Sequence, residues 1–261
     1  MRVNRRDFVR CVSIAAASLR KMPAQNPESN QIDDLVAADR ILASHEIVDA
    51  YGHVSIRSDR NPQHYLMSRS LAPELVTKDD ILEYDLDNNV IGSSKAALFL
   101  ERFIHGEVYK ARPDVKAVVH CHTPSLIPFG ATDMQLRPIF GLAGFIAEGI
   151  PVFEIRKTAG MTDLLIRDSA RGKALAQTLG NKPAALMRGH GAVVVGTSLP
   201  LVVGRCVYLD LNARIQAQAM ALSKNVTYLT PEEGKLSVAD DYRRAWELWR
   251  RKAMAALARG N

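Results

Sequence analysis

Cysteine is scarce in this chain: three residues in 261, Cys11, Cys121 and Cys206. No two of them stand at the spacing of a metal knuckle, so a sulfur-built metal site is excluded and no disulfide is expected. Long apolar runs are missing too; no stretch approaches the roughly 20 residues of a membrane span. There is no internal repeat and no low-complexity tract. A one-signed surface is also lacking. The net charge is +6, but residues 1–30 carry six cationic side chains against two anionic ones, which leaves +2 for the rest. A second basic group, Arg243-Arg244 and Arg250-Arg251-Lys252, lies on a helix-like segment and reads as a solvated or intersubunit face. A nucleic-acid stripe is therefore not expected. What remains is ordinary for a globular protein, with 47% hydrophobic and 24% charged residues. A chain of this length can build one domain around a sizeable core.

The first 30 residues stand apart. Arg5-Arg6-Asp7-Phe8 resembles a twin-arginine export motif, and nine residues from Cys11 to Leu19 form a short apolar stretch behind it. Arg20-Lys21 then interrupts it, which is wrong for a clean cleavage site. The segment is either an export signal or a degenerate tail. Location is accordingly cytoplasmic, or periplasmic if the Arg5-Arg6 segment works. Pro23 to Asn30 reads as a linker, so the expected organisation is a tail over 1–30 and a domain over 31–261.

Within the domain, strand and helix patterns alternate. Gln31 to Ser44 has helical spacing. Val54 to Arg57 and Tyr65 to Met67 read as short strands, and Thr77 to Asp80 as a loop feeding Ile81 to Asp85 before the turn at Asp87-Asn88-Asn89. Leu98 to Ala111 reads as a helix ended by Arg112-Pro113; Glu101, His105 and Tyr109 share one of its stripes. Pro151 to Ile155 and Ala184 to Met187 read as strands, and Ile166 to Leu179 and Leu199 to Ser223 as helices.

The chemistry-bearing pattern starts at Ala117-Val118-Val119-His120-Cys121-His122. The apolar run reads as a buried strand, and side chains two apart in a strand share a face. Two imidazoles therefore leave one strand side by side, as two ligands of one divalent ion must. Cys121 points to the other side as a small buried hydrophobe. A third histidine, His190, is flanked by Gly189 and Gly191, between the apolar runs 184–187 and 192–195. Glycines there allow a sharp turn and close approach. With one carboxylate, three such histidines close a metal site or leave one position for substrate.

These segments resemble the class II aldolase/adducin family, whose members include zinc-dependent fuculose-phosphate and ribulose-phosphate-type enzymes. The resemblance runs from about Asp34 to about Ser223. It rests on Gly52-His53-Val54-Ser55, the Glu101 segment, Ala111-Arg112-Pro113-Asp114, the His120–His122 strand and Gly189-His190-Gly191-Ala192. Glu101 precedes His120 by 19 positions, the family's offset. The resemblance implies an α/β fold, a three-layer α/β/α sandwich with a mostly antiparallel central sheet, often assembled as a tetramer. It implies His120, His122 and His190 as metal ligands and Glu101 as the acid/base. The implied ion is divalent, zinc first, with manganese, iron, cobalt or magnesium as alternatives.

The substrate loops depart from the sugar-phosphate members. Where those have serines before the glutamate, this chain has Leu98-Phe99-Leu100. Their Thr-Pro-Thr-Gly loop is replaced by Met67-Ser68-Arg69-Ser70-Leu71-Ala72-Pro73, and the Asn of their Gly-Asn-x-Ser motif by His53. An arginine between two serines suits a planar carboxylate, and the variant is similar to members named hydroxycarboxymuconic-semialdehyde or dihydroxyphthalate decarboxylases. His53, Ser55, Ser68, Arg69 and Ser70 are thus the candidate substrate-binding residues. The expected activity is carbon–carbon bond cleavage through an enolate that a divalent Lewis acid stabilises, with decarboxylation of a carboxylated hydroxy or oxo acid favoured and a dicarboxylate as substrate. The alternatives are a sugar-phosphate or sugar-acid aldolase or epimerase, an adducin-like interaction domain without chemistry, and a metal-dependent oxygenase.

Overall fold

The computed structural model describes residues 27–238 and 241–260, with only the backbone for 27–29. The twin-arginine-like segment and Cys11 lie outside the described residues. The strands are β1 (His53–Arg57), β2 (His64–Ser68), β3 (Ile81–Asp85), β4 (Ala117–Cys121), β5 (Val152–Phe153), β6 (Ala184–Met187) and β7 (Gly191–Gly196). The helices are α1 (Pro27–Ser44), α2 (Phe103–Ala111), α3 (Ile127–Ala131), α4 (Arg156–Ala159), α5 (Ser169–Leu179), α6 (Leu199–Leu222), α7 (Pro231–Ser237) and α8 (Arg243–Ala258).

The strands form one sheet in the order β3-β2-β1-β4-β7-β6-β5. Every neighbouring pair is antiparallel except β5 and β6. The central strands β4 and β7 are apolar throughout except for His120, because both of their faces are covered. Val54, Ala117, Val119 and Cys121 pack into the core under α1, α6 and α8. Tyr65, Met67, Val118 and Val193 face the other way, into the core under α2 and α5. The result is the expected three layers, and it makes the α2/α5 face of β4 the face that carries His120. No helix among the described residues is long and apolar enough to cross a membrane.

Several boundaries differ from the sequence reading. The segment read as a linker already enters α1 at Pro27, since proline suits a first helical turn whose N–H groups have no partner. The helix expected from Ile166 begins only at Ser169, where the Asp168 carboxylate accepts from the Arg171 N–H. The strand expected over 151–155 shrinks to Val152–Phe153. The helix expected from Leu98 is broken: a 3-10 turn spans Leu100–Arg102, Glu101 has φ −91 and ψ 17, and α2 starts at Phe103. Glu101 therefore sits at a kink and does not share the α2 stripe of His105 and Tyr109.

Candidate metal centre

Three backbone devices bring the histidines together. His120 ends β4 on the α2/α5 face, and His122 follows two residues later on that side. His190 lies in the turn between β6 and β7, closed by its own N–H on the Met187 carbonyl at 3.1 Å. Gly189 takes φ +65 in that turn, a conformation costly for any residue with a Cβ. At Gly191 a Cβ would lie 2.0 Å from the Cys121 carbonyl oxygen. The two glycines thus let the turn close and let β7 press against the end of β4.

The ring nitrogens converge. His120 Nε2 lies 3.0 Å from His122 Nε2, which lies 3.2 Å from His190 Nε2. Glu101 Oε2 is 3.4 Å from His120 Nε2 and 3.3 Å from His190 Nε2. Around an ion with bonds near 2.1 Å, tetrahedral ligand atoms would stand about 3.4 Å apart. All four ligand atoms lie within 4.8 Å of one another, so the group could hold a metal ion.

The outer partners make the fit chemical as well as geometric. His120 Nδ1 donates to the Ala192 carbonyl at 3.1 Å, and His190 Nδ1 to the Leu164 carbonyl at 3.0 Å. His122 Nδ1 faces the Asp49 carboxylate at 3.1 and 3.3 Å. A carbonyl or carboxylate oxygen only accepts, so each ring carries a proton on Nδ1 and, in its neutral form, turns an Nε2 lone pair inward. Three lone pairs and a carboxylate oxygen then share one small space, an arrangement that favours a cation. Glu101 is buried at 7% exposure, and its Oε1 accepts from the Ile166 N–H at 2.9 Å. Burial pushes its carboxyl upward, but His120 and His190 outweigh that and hold it well below the usual carboxylate range.

Beside this group runs a buried polar column. His53 Nδ1 meets His105 Nε2 at 2.6 Å; His105 Nδ1 meets Ser55 Oγ at 2.6 Å; Ser55 Oγ meets Tyr109 OH at 2.8 Å. The His53 ring lies 5.2 Å from that of His120 and 4.5 Å from that of Phe99. Burial and the neighbouring rings hold His53 well below the ordinary imidazole range and His105 down to about 3.

The expected substrate residues are therefore only partly gathered. His53 is brought to the cluster. Ser55 reaches it only through His105, because its hydroxyl is enclosed between His105 and Tyr109. Ser68 is turned away: it shares a strand face with Leu66, which packs under α1, and its Oγ is buried with no hydrogen-bond partner among the described residues. Arg69 leaves on the His53 face and pairs with Asp80 at 2.7 Å. The Ser70 N–H donates to the Ala97 carbonyl in the segment leading to Glu101. Sequence reasoning missed Asp49, Asp80, and the Leu164 and Ile166 backbone groups. Asp49 had a signal: an Asp two and three residues before Tyr51 and Gly52 is a local turn-former, and its Oδ1 does accept from both their N–H groups.

The model of the class II aldolase and adducin N-terminal domain matches residues 33–217. The chain belongs to this family. Within it, the chain is 33% identical over 252 residues to "Decarboxylase tropJ" of Talaromyces stipitatus, covering 87% of this chain and 95% of that protein. It is 27% identical over 199 residues to the 3,4-dihydroxyphthalate decarboxylase of Arthrobacter keyseri, covering 70% of this chain and 76% of that one. Among solved structures, the L-fuculose 1-phosphate aldolase from Glaciozyma antarctica superposes with a TM-score of 0.74 at 20% identity, over 92% of this chain and 96% of that one. That last likeness shows the family's fold.

Proposed function

We propose that this chain is a metal-dependent decarboxylase of a carboxylated hydroxy or oxo acid with an aromatic or muconic skeleton. The observation that supports it most is the match to a protein named a decarboxylase over nearly the whole of both chains, beside the convergence of four ligand groups in this chain. His120, His122 and His190 would hold the ion, zinc first among the candidates, with Glu101 beside it. An ion bound there supplies Lewis acidity toward the hydroxyl or carbonyl oxygen next to the breaking bond.

The protein's own residues do the rest. In the reaction the bond to the carboxylate carbon breaks, its electron pair passes into the conjugated skeleton, carbon dioxide leaves, and a proton takes its place on carbon. Glu101 would carry that proton, a role supported by its Oε1 being tied to the Ile166 N–H while Oε2 turns toward the cluster. His53 has its Nδ1 edge occupied by His105, so Nε2 is the nitrogen it can offer to a substrate oxygen. Phe99 packs on the His53 ring and helps keep water from it. A non-catalytic, adducin-like role fits less well, because a scaffold needs no convergent set of lone pairs. Assembly into a homo-oligomer, as the resemblance implies, belongs to the same proposal; the exposed apolar residues Met161, Leu222 and Leu236 are consistent with it.

The test is metal analysis of the purified protein followed by a carbon-dioxide-release screen over hydroxylated aromatic and muconic acids, with fuculose 1-phosphate and ribulose 5-phosphate in parallel. The expected result is a bound divalent ion and release of carbon dioxide from the acids. Efficient cleavage of the sugar phosphates with inert acids would replace this reading by the aldolase one.

A further inference from the structure

Arg69 stands at the end of a strand that leads to the candidate metal centre. It follows β2 directly, and its main chain stays in the ladder, since its N–H donates to the Asp80 carbonyl at 2.8 Å. Continuing the β1–β2 register, in which Ser55 opposes Met67, sets Arg69 opposite His53. Met67, two residues earlier, packs into the α2-side core. Residues two apart share a face, so Arg69 leaves the sheet on the side of His53 and His120.

Its guanidinium is anchored at one atom. Nε donates to Asp80 Oδ1 at 2.7 Å. Asp80 is itself fixed, because its other oxygen, Oδ2, accepts from the Thr77 N–H at 2.9 Å and from the Thr77 hydroxyl at 2.8 Å. The two terminal nitrogens of Arg69 have no partner among the described residues, and the side chain is 39% exposed. The paired N–H groups of that terminal fork match a carboxylate. Here the fork is left over.

We propose that Asp80 and Thr77 are positioning residues that present the Arg69 fork to a second carboxylate of the substrate, making the site selective for dicarboxylates. This rests on the decarboxylase reading above. The gripped group is the one that stays, because pairing the leaving carboxylate with Arg69 would stabilise charge that must flow into the skeleton. The loop from Arg69 to Asp80 is thus a specificity device and takes no part in bond breaking.

The experiment uses the full-length, metal-loaded enzyme and pairs of acids that differ only by the second carboxylate, for example 3,4-dihydroxyphthalate against 2,3-dihydroxybenzoate, across the same aromatic and muconic panel. Arg69→Lys keeps the charge and loses the fork. Asp80→Asn cannot accept from both Thr77 and Arg69. Each should raise KM for the dicarboxylate by about ten- to a hundredfold more than for the monocarboxylate, with the loss in KM and not in kcat and with unchanged metal content and circular dichroism. Because Asp80→Asn disturbs the Thr77 turn, the exposed Arg69→Lys is the variant that must fold. Equal losses on both acids, or no loss on either, overturn the proposal. Turnover of monocarboxylates alone overturns it while the decarboxylase reading stands. No carbon dioxide from any acid removes both.

Discussion

Asp49 offers the sharpest test of the metal centre, because one substitution separates its charge from its fold role. Its Oδ1 accepts from the Tyr51 and Gly52 N–H groups at 2.9 and 3.0 Å and faces His122 Nδ1 at 3.1 Å. Asp49→Asn keeps an oxygen for all three donors and removes only the charge. Asp49→Ala removes the acceptor as well. Loss of the outer partner of a ligating histidine typically costs about 10–100-fold in metal affinity, or about 1.4–2.8 kcal/mol. The Asp49 side chain is 51% exposed, so solvent screens much of its charge. The Asn variant should accordingly lose affinity by about tenfold or less, and the Ala variant should move toward a hundredfold. Burial and the neighbouring His120 ring already hold the His122 ring below its ordinary range despite Asp49, which favours the neutral, metal-binding form in both variants. Zinc affinity is read by competition with a chromophoric chelator at neutral pH, at low and high salt. Wild type should weaken with salt and Asp49→Asn should weaken less. Unchanged affinity in Asp49→Ala would show that His122 is not a ligand oriented by Asp49.

Glu101→Gln should keep most of its metal and lose about 10²-fold in turnover, measured as carbon dioxide release per bound ion; full activity removes Glu101 from the chemistry. Asp39 is fully buried with neither carboxylate oxygen partnered among the described residues, and burial raises its carboxyl well above the ordinary range against the opposing charge of Arg40. Below about pH 3.9 both states hold the proton and the group has no effect on stability. Above it the unfolded chain loses the proton first, so stability falls by about 1.4 kcal/mol per pH unit until the folded-state pKa is reached. Asp39→Asn removes that slope, and urea melts of the two proteins should show an advantage for the variant that grows as the pH rises above about 4; a constant difference refutes it. Gly191→Ala should cost about 1–3 kcal/mol and weaken metal binding together, because the added Cβ forces β7 away from Cys121 and carries His190 with it.

The parts of the site that were legible in the sequence are those set by local geometry. The strand period fixes that His120 and His122 share a face whatever the rest of the fold does, and glycines on both sides of His190 mark a turn and a close approach. The parts that were not legible depend on partners far along the chain. Glu101 sits in a segment whose apolar spacing suits an uninterrupted helix, yet the Ile166 N–H, 65 residues away, takes its carboxylate at the kink. Ser68 was grouped with Arg69 by adjacency, but adjacency in a strand puts neighbours on opposite faces, and only the packing of Leu66 under α1 tells which face is which. Asp80 reaches Arg69 because β2 and β3 pair, and nothing in the loop composition gives that register.

The ionisation states around the cluster narrow the choice of acid and base. His53 is buried against His105 and His120, and burial with those neighbours keeps it neutral. His105, lowered to about 3, is neutral as well. Tyr109, at the far end of the column, is pushed up by burial, so it does not give up its proton near neutral pH. A proton drawn through His53 would have to be replaced from Tyr109, leaving a buried phenolate whose nearest cation, the Arg57 guanidinium, stacks 4.7 Å from the ring centroid and does not bond the oxygen. The column therefore orients His53 and does not supply protons. Glu101 differs in kind. It is the ionised group at the cluster, with one oxygen fixed by a backbone N–H and the other turned toward His120 and His190. As negative charge builds on a substrate beside it, like-charge repulsion raises the affinity of the Glu101 carboxylate for a proton, and it becomes able to carry one at the moment the carbon skeleton needs it.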